Sequence, residues 1–254
     1  MPDGSTGAAA PWFSGTADFT GYMREAFHAL NADNTPKRIL DLPAGLGQFT
    51  DALRARGHTV TPADINKERD DYAYADMNAP LPFEDGAFDA AVCLEGLEHL
   101  VEPLRLLSEL VRVVRPGGLV VLSTPNTQNY YSRLQFLLTG TFYQFNPATL
   151  RDLPPGAMED RFHISPLTLQ WLWYYATYLN AAVIDVRGDR MKKKWMLPLF
   201  GLIHVLGIVW SRKLFFGGRA KQWPERNRAM HGALNSRPML FSRTMIVVLR
   251  KNER

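Results

Sequence analysis

Residues 37–53, KRILDLPAGLGQFTDAL, set a short apolar run against a glycine-bearing break, and apolar positions then resume at helical spacing through Phe49, Ala52 and Leu53. Strand, tight turn and helix in that order make half of a βαβ unit, the crossover that parallel strands need. The pattern recurs. A second strand is expected at 58–63 (HTVTPA), ending at Asp64, and a third, weaker one near 72–75, ending at Asp76. FDAAVCL (88–94) reads as a fourth strand, followed by a helix over about 103–114 that should stop at the Arg115-Pro116-Gly117-Gly118 turn. LVVLST then reads as a fifth strand running into Pro125-Asn126. An aromatic segment (129–145), a helix over about 166–179 opening at Ser165-Pro166, a sixth strand AAVIDV (181–186) and a last strand over 239–250 complete the chain.

Alternating short strands and helices imply an α/β fold around a mostly parallel sheet, with ligands bound where the carboxyl ends of the strands meet. Asp41, Asp64, Asp76 and Glu95 each stand at such an end. With 254 residues there is room for one such domain, expected over 16–254 behind a flexible stretch at 1–15, with insertions at about 127–162 and 187–238. The opening residues carry no basic, continuously apolar leader, and the single Cys93 cannot form an internal disulfide, so a reducing cytoplasm is the expected setting.

A glycine turn after the first strand lets backbone approach a ligand closely, and an acid about 20 residues later can accept bonds from ribose hydroxyls. Gly45 and Gly47 supply the turn and Asp64 the acid, while Thr50 stands where a dinucleotide fingerprint would have its third glycine. The whole series, Asp41-Leu-Pro-Ala-Gly45-Leu-Gly47, Asp64, Asp76-Met77, the strand to Glu95 and RVVRPGGLVVLSTPN (112–126), resembles the class I S-adenosylmethionine-dependent methyltransferases. The resemblance implies a Rossmann-like seven-stranded sheet of order 3-2-1-4-5-7-6 with its last strand antiparallel. It also implies S-adenosylmethionine as cofactor. Asp41, Ala44, Gly45 and Gly47 would line its methionine end, Asp64 its ribose, Asp76 and Met77 its adenine, with Glu95 nearby. Pro43, Ala44 and Phe49 depart from the family's commoner D-x-G-x-G-x-G.

In CLEGLEHL (93–100), Glu95, Glu98 and His99 stand at i, i+3 and i+4, so on a helix or turn starting after the fourth strand their side chains can converge on one side. Two crowded carboxylates repel unless a proton or a cation lies between them. His163, in DRFHIS, could return over the same face. Three readings stand: a metal site, a metal-free general base drawn from His99 or a glutamate, and a structural hydrogen-bonded cluster. The E-x-x-E-H pattern with a later histidine resembles the ubiquinone-pathway O-methyltransferases and the small-RNA 2′-O-methyltransferases. That likeness implies Glu95, Glu98, His99 and His163 as ligands of a divalent ion, Mg²⁺, Mn²⁺, Fe²⁺ or Zn²⁺.

Net charge is unevenly placed. Residues 187–237 carry twelve Lys and Arg against Asp189 and Glu225, a net +10 on a chain whose total is +4. Within that block, Trp195 to Ser211 is uncharged, short of the 20 or so residues of a spanning helix and interrupted by Pro198, Gly201, His204 and Gly207. Tryptophans at its ends and cations beyond them fit a segment at 192–213 lying against an anionic membrane, at the inner face of a bilayer; a buried helical lid is the alternative. The expected activity is O-methylation of a hydroxyl on a hydrophobic, lipid-linked or glycan acceptor. The rivals are an RNA 2′-O-methyltransferase, for which the apolar segment is poorly suited, a non-catalytic cofactor-binding subunit of a membrane complex, and a nicotinamide-dependent oxidoreductase.

Overall fold

Strand alternation decides the layers. In the computed structural model, which describes residues 19–66, 68–145, 162–191 and 193–253, Ile39, Ala90, Val92, Val121, Ile246 and Val248 pack to one side of a central sheet. Leu40, Ala91, Cys93, Leu122, Val247 and Leu249 pack to the other. Both faces are therefore dry, as a helix-covered parallel sheet requires. The strands are β1 Arg38–Asp41, β2 Thr59–Asp64, β3 Ala73–Tyr74, β4 Phe88–Leu94, β5 Val114–Pro125, β6 Ala181–Gly188 and β7 Thr244–Lys251. Their order is β3-β2-β1-β4-β5-β7-β6, the order expected from the sequence. β7 runs antiparallel to both neighbours.

Helices α1 (Gly21–Leu30) and α2 (Gln48–Ala55) cover the first face. The second is covered by α3 (Pro103–Val113) and, beyond α4 (Tyr130–Thr139), by α5 (Leu169–Tyr178). α3 shows why: Leu106, Leu107, Leu110, Val111 and Val113 form one buried stripe at helical spacing. Between β6 and β7 come α6 (Leu197–Phe216), α7 (Pro224–Leu234) and α8 (Arg237–Phe241).

α3 ends at Val113, just before Arg115-Pro116-Gly117-Gly118 as expected, and those four residues bulge from β5: between Phe88↔Val114 and Ala90↔Leu119, β4 advances two residues and β5 five, with Gly117 at φ +76°. Three local expectations are corrected. α5 opens at Leu169 and not at Ser165-Pro166, because the Thr168 side chain accepts from Trp171 N and caps the helix there. The last strand begins at Thr244. Arg237–Phe241 is instead a short helix, started by Pro238 in its first turn and clamped by Asn126 Nδ2, which donates to the Met239 and Ser242 carbonyls at 2.9 and 3.2 Å. The buried-lid expectation also fails: of the twenty residues of α6, only Phe200 is buried. The flexible stretch expected at 1–15 and part of the insertion at 127–162 lie outside the described residues.

Register fixes where both insertions emerge. Pro125 at the end of β5 pairs with Thr244, and Gly188 at the end of β6 pairs with Met245. The chain after β5, the chain after β6 and the start of β7 thus meet at one edge, the carboxyl edge of β1, β2 and β4.

Candidate active site

The β1–α2 turn is built from backbone that a side chain would obstruct. Gly45 and Gly47 have φ of +58° and +86°, values that favour glycine. A Cβ on Gly47 would collide with the Arg69 guanidinium and lie 2.9 Å from the Tyr72 hydroxyl. Ala44 N donates to the Ala63 carbonyl, binding the turn to β2. Asp64 is buried at the end of β2; its Oδ2 accepts from Gly45 N at 2.9 Å and its Oδ1 from Asn66 N at 3.1 Å. Asp64 thus joins the glycine turn to the β2 loop, as the sequence spacing placed it.

Thr50 breaks the three-glycine fingerprint for a reason visible only here. Its Oγ1 donates to Asp41 Oδ2 at 2.6 Å, and both residues are buried. Burial, with the neighbouring Asp64 charge, still pushes the Asp41 carboxyl up to about 7. Because that value lies above the unfolded one, the folded state holds a proton the unfolded chain has lost between about pH 4 and 7. Stability tied to Asp41 is then present at low pH and lost as pH rises through about 7. Urea unfolding of cofactor-free protein should show a slope steeper than that of Asp41→Asn by up to about 1.4 kcal/mol per pH unit across this window.

Asp76 caps its own turn, Oδ1 accepting from Asn78 N at 2.8 Å, and Met77 packs half-buried against the core. The two segments expected to hold the cofactor meet the E-x-x-E-H loop at Gly96, a residue that sequence reasoning missed. A Cβ there would lie 2.8 Å from Cys93 Sγ, 3.0 Å from Pro43 Cδ and 3.3 Å from Met77 Sδ. Only glycine lets these three segments close together. Gly96→Ala is expected to lower the calorimetric melting temperature by several degrees, consistent with about 1–3 kcal/mol of overpacking.

Of the helix or turn expected after β4, the structure has the turn. Glu95 sits in the left-handed region at φ +53°, and only Leu97–His99 form a 3-10 turn. Helical periodicity therefore does not carry Glu95 toward its neighbours. Its Oε1 accepts from Ser123 Oγ on β5 at 2.9 Å, and Ser123 Oγ and O lie 3.0 and 3.1 Å from Glu95 N. Burial and the Asp189 charge raise its carboxyl above the usual range.

Glu98, His99 and His163 do come together: one ligand atom from each lies within 4.8 Å of the others. The Glu98 carbonyl accepts from Ile164 N and Ser165 N at 2.8 and 3.0 Å, and Ser165 Oγ donates to Leu100 O at 2.6 Å. This backbone link holds His163 in place, its ring 4.9 Å from that of His99 and nearly perpendicular to it. Glu98 is fully buried, and its carboxylate oxygens make no well-formed hydrogen bond among the described residues, although the Thr124 hydroxyl bears on them; His163 Nδ1 likewise makes none, with the Gln144 backbone bearing on its ring. Burial, reinforced by Glu95, raises the Glu98 carboxyl well above the usual range. Burial and the neighbouring His99 push His163 down to about 4. A buried carboxylate left without well-formed hydrogen bonds is costly, and a proton or a cation would relieve it.

Two further groups reach this site from elements the sequence did not point to. The Tyr22 hydroxyl of α1 is raised by burial and by the charges of Glu95 and Glu98. Arg243, just before β7, bears on Glu95 and is held by Gln144 Oε1 at 2.7 Å. A cavity of about 860 Å³ lies instead between α3 and α5, and none of the residues expected to hold the cofactor lines it.

Comparison with known proteins agrees with this arrangement. A family profile described as a methyltransferase domain matches residues 17–173. The chain is 32% identical over 175 residues to the ubiquinone biosynthesis O-methyltransferase of Dechloromonas aromatica, covering 63% of this chain and 72% of that protein. It is 40% identical over 105 residues to the demethylmenaquinone methyltransferase of Clavibacter sepedonicus, covering 35% of this chain and 42% of that one, so it spans less than half of that relative's length. Among solved structures, a SAM-dependent methyltransferase from Archaeoglobus fulgidus superposes with a TM-score of 0.56 at 14% identity, over 90% of this chain and 92% of that one. The Burkholderia thailandensis 1,6-didemethyltoxoflavin-N1-methyltransferase, solved with S-adenosylhomocysteine bound, gives 0.51 at 15%, over 91% and 78%. With strand order, glycine turn and family profile in agreement, the chain belongs to the class I S-adenosylmethionine-dependent methyltransferases.

Proposed function

We propose that this enzyme methylates the oxygen of a hydroxyl on a hydrophobic acceptor, at the carboxyl edge of β4. The observation that carries the reading is the fully buried Glu98 carboxylate, without a well-formed hydrogen bond among the described residues, facing His99 and His163 and packed through Gly96 against the β1–α2 turn. A hydroxyl is a weak nucleophile while protonated, so transfer of the sulfonium methyl requires a group that takes or labilises the proton and orients the oxygen. His99 and Glu98 are placed to do both. Methyl transfer then breaks the sulfur–methyl bond as the oxygen–methyl bond forms, and S-adenosylhomocysteine leaves.

The donor set also fits a divalent cation: one carboxylate and two imidazoles within reach of each other, with a carboxylate and a ring nitrogen lacking well-formed hydrogen bonds among the described residues. Glu98, His99 and His163 would hold it; Glu95, engaged by Ser123, stands beside the set. Such an ion would lower the pKa of the bound hydroxyl. The curated relatives named as ubiquinone O-methyltransferases support oxygen as the accepting atom.

The test is incubation with methyl-labelled S-adenosylmethionine and a catechol bearing a short isoprenoid tail, before and after metal chelation. The expected product is a methyl ether whose formation falls on chelation and returns with Mn²⁺. Methyl transfer to carbon or nitrogen, or to an RNA 3′ end in place of the catechol, would overturn the assignment of the acceptor. Unchanged rates after chelation would overturn the metal and leave His99 and Glu98 as a metal-free base.

A further inference from the structure

α6 is a twenty-residue helix whose outward side chains are almost entirely apolar and almost entirely exposed. Leu202, Val205, Leu206, Val209 and Trp210 are 61–70% exposed, and Trp195, just before the helix, is 78% exposed. By length and composition Lys194–Phe216 could cross a membrane, and only 6% of it is buried. The fold forbids a crossing. The segment leaves β6 at Gly188 and must re-enter the sheet at Thr244 on the same edge. The helix that returns, α7, is eleven residues long, about 17 Å, and begins PERNR.

The inward stripe of α6 also ties it along the protein surface. Phe200 is buried against Tyr130 and Leu240, with Met196 and Ile203 packed beside them. His204 Nδ1 lies 2.7 Å from the Tyr130 hydroxyl, and Phe215 packs on the core and on the His231 ring. Both ends are anchored, so the apolar side is held parallel to the surface it would meet.

Charge selects the occupant. Lys193, Lys194, Arg212, Lys213, Arg219 and Lys221 flank the apolar face, all exposed, and no Asp or Glu occurs from 190 to 224. A second copy seated on this face by a two-fold axis would bring two such clusters together unscreened. A polyanionic nucleic acid would leave the aliphatic side chains in water.

We infer that α6 is an in-plane anchor: its apolar face enters one leaflet of an anionic phospholipid bilayer, its flanking cations meet the headgroups, and the carboxyl edge is thereby held at the membrane surface. This deepens the reading of a hydrophobic acceptor, and its test does not depend on that reading, because binding is measured without turnover.

The test is flotation of the full chain with vesicles of phosphatidylcholine alone or with about 30% phosphatidylglycerol, for wild type and Leu202→Asp/Val209→Asp. Both substituted positions are exposed, so folding should be kept, and S-adenosylhomocysteine binding checks that it is. Wild type is expected to float with anionic vesicles and the variant to lose at least about tenfold of that binding. Tryptophan emission should shift to the blue on binding, and Trp195→Phe/Trp210→Phe should abolish the shift although four tryptophans remain. Failure of wild type to float, equal flotation of the aspartate variant, or a wild-type dimer that the variant converts to monomer would each overturn the anchor.

Discussion

Replacing His99 by alanine is expected to lower turnover by at least about a hundredfold while S-adenosylhomocysteine binds within about threefold of wild type, a loss in the range of a positioned acid–base group. The separation follows from the geometry. The side chain faces His163 and the buried Glu98, whereas contact with the segments expected to hold the cofactor is made by Gly96 and the strand ends. Steady-state rates and calorimetric titration of the cofactor product measure the two quantities. If both fall together, His99 is holding the loop in place, and its chemical role is lost. Glu98→Gln separates the alternatives further: it keeps the volume of a fully buried side chain while removing its capacity for charge. It is therefore expected to keep the fold and lose the activity.

The second large effect belongs to Asp64. Asp64→Ala is expected to weaken S-adenosylhomocysteine binding by about 10- to 100-fold, the size of a lost charge-assisted hydrogen bond. This carboxylate accepts from Gly45 N and Asn66 N, so it holds the glycine turn beside the point that a ribose hydroxyl would meet. Asp64→Asn keeps an acceptor oxygen for these bonds and should recover the melting temperature more fully than the affinity. Equal recovery of both would make Asp64 a structural residue of the turn alone. A melting temperature measured beside each titration distinguishes the outcomes.

The parts of the site that could be read in advance share a physical basis. Asp41, Gly45, Gly47 and Asp64 stand at strand ends, and strand ends follow from local alternation and turn chemistry. Glu95 is not among the ligand atoms of Glu98, His99 and His163 that lie within 4.8 Å of one another, although its charge still bears on Glu98: at φ +53° its backbone leaves helical geometry and its carboxylate accepts from Ser123, and i, i+3, i+4 spacing is meaningful only within an unbroken helix. Thr50 looked like a flaw in a fingerprint and proves to be the hydrogen-bond donor to Asp41. Gly96, Tyr22 and Arg243 carried no motif at all, because what matters about them is their neighbours from distant segments.

By itself the sequence determined the α/β class, the strand order through family resemblance, the glycine turn, the acids at the sheet's carboxyl edge, and an uncharged segment between basic flanks. Each depends on residues a few positions apart, where hydrophobic period and backbone preference act. Only the tertiary structure decided which polar groups share a site and which apolar groups find no cover. His163 reaches His99 because backbone donors at 164 and 165 find the Glu98 carbonyl, a pairing across more than sixty residues. The outward face of α6 stays exposed because both ends of its insertion are fixed to one edge of the sheet, leaving room for a single buried stripe. Burial is a property of the whole packed chain, and so the Glu98 cluster and the exposed apolar face of α6 could be located only once the fold was in hand.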